Sequence, residues 1–287
     1  MDTTAEVDLG PESLLWRYAG DTRIAFLGAT IGLLQLMHPA IGAGVLDHSN
    51  FFEDPTDRIF RSLPRILGAV YDADARSTGD EVRDAHRSIK GTTGSGERYH
   101  ALDPATFWWA HATFQFMAEQ VADRFDTHRL TASEREQLYR EGIEWYRRYG
   151  VSDRAVPPDR AAFEAEWNRV CSEVLEMNDA VRFVLRILDQ PLLPRWDTRS
   201  ELRNWLRPLA NLAPSRWVAA RGARLVAGGG LPPIVRERFG IRWTRRDAIE
   251  LATLERVVRA GWRHLPPSTR WQPRAYEGWE RATGHVP

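Results

Sequence analysis

Histidines have the widest chemical reach in this chain, and His86 is the most suggestive of the eight. On a helical wheel over Asp80–Lys90, Val82, Ala85, His86 and Ile89 share one face, while Arg83, Asp84 and Arg87 point elsewhere. An apolar face meets a core, so His86 is expected to look inward. A neutral imidazole there can ligate a metal, haem iron included, or be an ordinary hydrogen-bonded core residue. The pattern alone favours the plainer role.

A second inward histidine follows. Phe107, His111, Phe114, Ala118, Val121 and Phe125 form one stripe of the next helix, widened by Trp108 and Trp109. Two histidines on neighbouring helices could clamp a metal or a porphyrin, or each could bond a backbone carbonyl. A stripe of aromatics is more often core than cofactor wall. His38 and His48 flank a glycine-rich break, with Asp47 and Ser49 beside the second. Metal binding by His38, Asp47 and His48 is conceivable, but the spacing matches no compact site, and local hydrogen bonds that organise the turn are the simpler reading. Gly91, Gly94 and Gly96 could cradle an anion with backbone amides. They carry no Gly-Lys-Ser/Thr sequence and follow no expected strand, so a flexible connection is expected instead. Gly-x-Ser-x-Gly is absent, which argues against a hydrolase, and paired Glu-x-x-His motifs are absent, which argues against a di-iron bundle.

The elements that must position these residues read as helices punctuated by Gly and Pro. Helices are expected at Pro11–Tyr18, Arg23–Met37, Pro55–Tyr71 (kinked at Pro64) and Asp80–Lys90. Asp103-Pro104 opens a long helix to about Phe125, with Asp103 as N-cap and Pro104 in the first helical position. Thr131-Ala-Ser-Glu134 is a capping box for a helix that ends near Tyr149-Gly150. Further helices are expected at Arg160–Asp189, Arg199–Leu206, Pro214–Ala227, Thr244–His264 and Pro273–Ala282. Alternating strand patterns are essentially absent. The fold class expected is all-α: a short helix within residues 1–19, then a single helical domain over 20–287.

Composition narrows the function classes. The chain has 287 residues with twelve Trp, eleven Phe and seven Tyr, enough for a sizeable core. Its 39 basic and 39 acidic residues cancel, so neither nucleic acid nor an anionic membrane is expected as a general partner. Lys90 is the only lysine; every other basic residue is an arginine, whose fork suits carboxylates and propionate-like anions. The single cysteine, Cys171, cannot form an intrachain disulfide, which fits a reducing cytoplasm. It also rules out covalent haem attachment through Cys-x-x-Cys-His and cysteine-rich zinc sites. The acidic, polar start does not read as a secretion signal. Ile24 to Leu46 is long and apolar enough to suggest a membrane span, but Gln35, His38 and Pro39 sit in its middle. A buried helix that breaks at His38-Pro39 is expected, without stable membrane insertion.

In order along the chain come Gln35-Leu-Met-His38-Pro39, Gly44-Val-Leu-Asp47-His48-Ser49, Asp54-Pro55, Arg58-x-x-Arg61-Ser62 and Val82-x-x-x-His86-x-x-x-Lys90-Gly91. Gly96-x-x-Tyr99-x-Ala101-x-Asp103-Pro104 and Trp109-Ala-His111-Ala follow. This set resembles the family of MpaB-type oxygenases and latex-clearing proteins, the rubber oxygenases, over about residues 20–275. The later marks, Leu231-Pro232, Arg238-Phe-Gly240 and Leu265-Pro266 with Arg270, are weaker. The resemblance implies a globin-like helical core with peripheral helices around a non-covalent haem b. It implies His86 as the iron ligand, with Arg83 one turn before it and His111 as a further cofactor-binding candidate. Arg58, Arg61 and Ser62 correspond to a catalytic Arg-x-x-Lys-Thr segment, with arginine in place of lysine and serine in place of threonine. The activity implied is dioxygen chemistry on a small hydrophobic substrate, isoprenoid, lipid or polyketide. The changed lysine keeps open a non-catalytic helical protein that binds haem or another hydrophobic ligand, and loss of haem altogether is a third reading. Candidates for a general base are His111, Glu53 and Asp54, chosen by position only. Substrate, redox partner and oligomeric state are not encoded in any motif.

Overall fold

A computed structural model describes residues 7–49, 55–189 and 213–287, with the side chains of all but 55–61, 189 and 213–219. Glu53, Asp54 and the helix expected at Arg199–Leu206 lie outside the described residues. The protein is mostly helical and forms a single body.

The early helices explain each other. Helix α1, Leu14–Ala19, is capped by the Ser13 hydroxyl, which accepts from the Trp16 amide. Buried Glu141 accepts from the amide of Leu15 at 2.7 Å and so holds the start of α1. Helices α2, Ile24–Leu36, and α3, Pro39–His48, meet at an angle of 100°. The expected break at His38-Pro39 is present, because proline has no amide for the helix and forces the residue before it into extended backbone (His38 ψ 125°). The break orphans two carbonyls, which find partners elsewhere. The Asn178 amide donates to the Leu36 oxygen at 2.7 Å, and the Glu176 backbone amide to the Met37 oxygen at 2.8 Å. Among the described residues no single helix is long and apolar enough to cross a membrane; by length and composition only the bent α2–α3 pair could. Leu27, Ile31, Leu33 and Leu34 of that pair are buried inside the protein.

Helix α4, Pro55–Tyr71, contains Pro64 and packs along α5, Ala75–Asp84. Helix α6, Pro104–Phe125, is the central element, with buried residues on every side and neighbours α1, α2, α3 and α7. Both bonds of the capping box expected for α7, Ala132–Arg147, are formed. The helix expected over Arg160–Asp189 is divided. Helix α8, Arg160–Arg169, runs into a π-turn at Val170–Val174, and α9, Asp179–Asp189, starts afresh with the Asn178 side chain accepting from the Val181 amide. The division serves the α2–α3 break: it brings Glu176 and Asn178 to the orphaned carbonyls. Then follow α10, Ala213–Gly230, α11, Pro233–Arg238, α12, Arg245–Trp262, α13, Pro267–Arg270, and α14, Pro273–Thr283.

Two expectations are corrected. The helix carrying His86 does not span Asp80–Lys90; it starts at Ala75 and stops at Asp84, and Ala85–Ser88 form a turn. The glycine-rich stretch after it is not a flexible connection. It is a two-stranded antiparallel hairpin, β1 (Lys90–Thr92) paired with β2 (Arg98–His100), register Gly91 to Tyr99. Gly96, with φ +88°, supplies the left-handed backbone of its loop.

Candidate functional site

Two close approaches place His86. Gly79 of α5 lies against the end of α7, where a Cβ would stand 2.1 Å from the Arg148 carbonyl oxygen, so only glycine lets the two segments touch. Val82, the next inward residue, is buried. Beyond Asp84 the chain keeps turning. The His86 amide donates to the Arg83 carbonyl at 2.9 Å, and the ring faces inward although the regular helix has ended. His86 is half-buried and meets Phe107 of α6 edge-on, with ring centroids 5.7 Å apart.

A backbone bond orients the imidazole. His86 Nδ1 lies 2.7 Å from the Val82 carbonyl oxygen, one helical turn back. A carbonyl can only accept, so Nδ1 carries the proton and Nε2 carries the lone pair. A backbone carbonyl on one ring nitrogen is the usual way a metal-ligating histidine is held in the tautomer and orientation that ligation needs.

The segment after His86 is anchored to α3. Tyr99 donates its hydroxyl to Asp47 Oδ2 at 2.7 Å, and His48 Nε2 donates to the Lys90 carbonyl at 3.1 Å. Burial and the Asp47 carboxylate push the Tyr99 phenol up to about 12. At Gly44, α3 packs against Ile89 and Tyr99, which lie 3.4 and 3.5 Å from where a Cβ would be, an ordinary contact distance. The Gly44–His48, His86–Gly91 and Tyr99 motifs, far apart in sequence, therefore share one corner. The structure assigns Asp47 and His48 to structural bonds there. The sequence pointed to Tyr99 only through its place in the Gly96-x-x-Tyr99 motif; in the structure it is the buried residue of β2, between exposed Arg98 and half-buried His100.

The other expected residues are placed as follows. Arg83 is held by Asp80 Oδ1 at 2.6 Å and Asp84 Oδ1 at 2.9 Å. Arg58 and Arg61 are on α4, their side chains outside the described residues; Ser62, also on α4, is exposed. His111, 2% exposed, sits between α6 and α7 with Nε2 donating to the Gly142 carbonyl at 2.8 Å. Burial lowers its imidazole to about 4, so it is neutral near pH 7. Phe107, Tyr146 and Tyr149 separate it from His86: Phe107 meets the His86 ring and both tyrosines, and both tyrosines meet the His111 ring. The two inward histidines are thus on opposite sides of an aromatic layer. His38 is elsewhere again, stacked on Trp109 at 6.4 Å beside a cavity of about 70 Å³ walled by Trp108, Phe163 and Trp167. Among the described residues no three His, Cys, Asp or Glu side chains converge as a metal site.

Residues 16–260 match the family described as ER-bound oxygenase mpaB/B′/rubber oxygenase, catalytic domain. The chain belongs to this family of oxygenases. Two similar proteins, one from Mycobacterium bovis and one from Mycobacterium tuberculosis, both called uncharacterized, are each 24% identical over 241 residues, covering 82% of this chain and 87% of theirs. No solved structure matches. In this family member the match ends before α13 and α14, although both pack into the same body.

Proposed function

We propose that the protein is a haem b oxygenase acting on a small hydrophobic substrate such as an unsaturated isoprenoid or lipid chain, with His86 as the iron ligand. The observation that supports it best is the bond from His86 Nδ1 to the Val82 carbonyl, which puts a proton on Nδ1 and makes Nε2 the nitrogen that would coordinate iron. Phe107 lies edge-on to the His86 ring, with Tyr146 and Tyr149 behind it as an aromatic wall that a porphyrin edge could meet. Membership of an oxygenase family supplies the reaction class.

Bound there, haem b supplies the iron at which dioxygen is activated. The protein supplies the rest. The Val82 carbonyl keeps the proton on Nδ1 and strengthens Nε2 as a donor. The Asp47–Tyr99 and His48–Lys90 bonds hold the chain that follows His86, so the ring cannot swing out with the turn. The aromatic layer excludes water from the inner side. Arg58, Arg61 and Ser62 are the donors proposed to bind dioxygen or steer substrate. A globin-like arrangement of the helices around the cofactor is part of the same proposal.

The test is the absorption spectrum of the purified chain. A Soret band is expected, lost in His86→Ala and regained in His86→Gly on adding imidazole. Equal haem content in wild type and His86→Ala would overturn the ligand assignment. Haem-loaded wild type is expected to consume oxygen with at least one member of an unsaturated isoprenoid and fatty-acid panel. No uptake across the panel would make it a haem carrier instead.

A further inference from the structure

Away from His86, an open cleft of about 370 Å³ lies between α10 and the start of α12. It is lined by Arg221, Arg224, Arg242, Thr244, Arg246 and Asp247. Among the described residues its lining is polar or charged throughout, and the apolar surface it offers is carbon of those same side chains.

Carboxylates brace two of the guanidinium groups, those of Arg221 and Arg246. Asp247 is fixed by the capping box of α12, where its carboxylate accepts from the Thr244 amide at 2.7 Å and hydroxyl at 2.6 Å. Its other oxygen accepts from Arg221 Nη2 at 2.5 Å. Glu250, one turn further, accepts from Arg221 Nε at 2.8 Å and from Arg246 Nε at 2.6 Å. Two carboxylates, Asp247 in the lining and Glu250 one turn on, therefore hold two arginines at the cleft. Those bonds leave Nη1 of Arg221 and both Nη groups of Arg246 without a hydrogen bond among the described residues. Arg242 has no hydrogen bond or ion pair among them either. The cap occupies the Thr244 and Asp247 amides, and the arginine forks are the groups offered to an anion here.

The geometry points to a phosphate-binding site: the cleft takes the phosphate or diphosphate group of a ligand, between Arg221, Arg242 and Arg246. A tetrahedral dianion offers several oxygens to forks that approach from different sides, and each contact is a charge-assisted hydrogen bond. The group can come from a free phosphate compound or from a lipid headgroup.

The test uses the full chain with two probes. Inorganic pyrophosphate is titrated by calorimetry against sodium chloride of matched ionic strength. Vesicles of phosphatidylcholine containing phosphatidic acid are compared with phosphatidylcholine alone by co-sedimentation. The variant is Arg242→Gln with Arg246→Gln; both side chains are exposed, so folding is not at stake. Arg140→Gln, an exposed arginine on α7, is the control. Saturable pyrophosphate binding that weakens about tenfold or more in the double variant and not in the control supports the site and a free ligand. Sedimentation with phosphatidic acid that is lost only in the double variant supports the site and a lipid headgroup. Binding of neither probe, or binding unaffected by the double variant, overturns the proposal.

Discussion

At His86 the decisive atom belongs to another residue. The Val82 carbonyl decides which imidazole nitrogen carries the proton, and a backbone atom cannot be removed by substitution. His111 shows what the same side chain does without an approach from outside. It is sealed between two helices, neutral, and bonded to Gly142. That burial has a measurable consequence. The folded value is about 4 against an ordinary 6.5, so between these pH values the unfolded chain takes up a proton that the folded chain refuses. Stability is then expected to be full above pH 6.5 and to fall as pH drops toward 4, by up to about 1.4 kcal/mol per pH unit. His38, also lowered to about 4 by burial, acts with the same sign. His111→Gln keeps a donor for Gly142 but gains no proton. Urea unfolding across this range should show a shallower pH slope for that variant; an unchanged slope would assign the loss to other groups.

Among elements, two close approaches are open to test. Gly79→Ala puts a methyl group against the Arg148 carbonyl and should cost about 1–3 kcal/mol. Because α5 leads into the turn that carries His86, the same variant should also lower haem occupancy, read from the Soret absorbance per chain. Retained stability and haem would mean that α5 and α7 separate more easily than their geometry implies. Asn178→Ala removes the donor to the Leu36 carbonyl and the cap of α9 together. A loss of about 1–3 kcal/mol is expected by thermal or urea unfolding, and a loss near zero would show that water replaces both bonds.

For the molecule as a whole, the C-terminal helices matter although the family match stops at residue 260. Trp271, Ala275 and Trp279 are buried. Trp279 meets Trp16 of α1 with ring centroids 5.5 Å apart, and Gly20 admits Ala275 and the Tyr71 ring where a Cβ would collide with both. Backbone bonds from Thr22 to Arg270 and from Gln272 to Gly20 join the two regions. Deleting residues 267–287 would expose Trp16 and Tyr71 of the main core. The truncated chain is expected to lose a cooperative thermal transition; a sharp transition near the wild-type temperature would make these helices an appendage.

Much of this was legible in the residues themselves. Pro39 broke the apolar run because it lacks an amide, Asp103 and Thr131 started their helices because their side chains satisfy orphan amides, and the order of motifs marked the family. These are local effects of covalent chemistry and spacing, so they need no fold. The inward side of His86 was also readable from its helical spacing to Val82, although the helix ends at Asp84, the turn beyond closes with tighter bonds, and Ala85, expected on the same face, is exposed. What needed the tertiary structure were features set by partners distant in sequence. The split between α8 and α9 answers carbonyls left at Leu36 and Met37, the hairpin is pinned by Asp47 to Tyr99, and an aromatic layer parts His86 from His111. Only packing brings Arg221 to Arg242 and Arg246, because a side chain's neighbours across the chain depend on how helices cross and not on its own propensity.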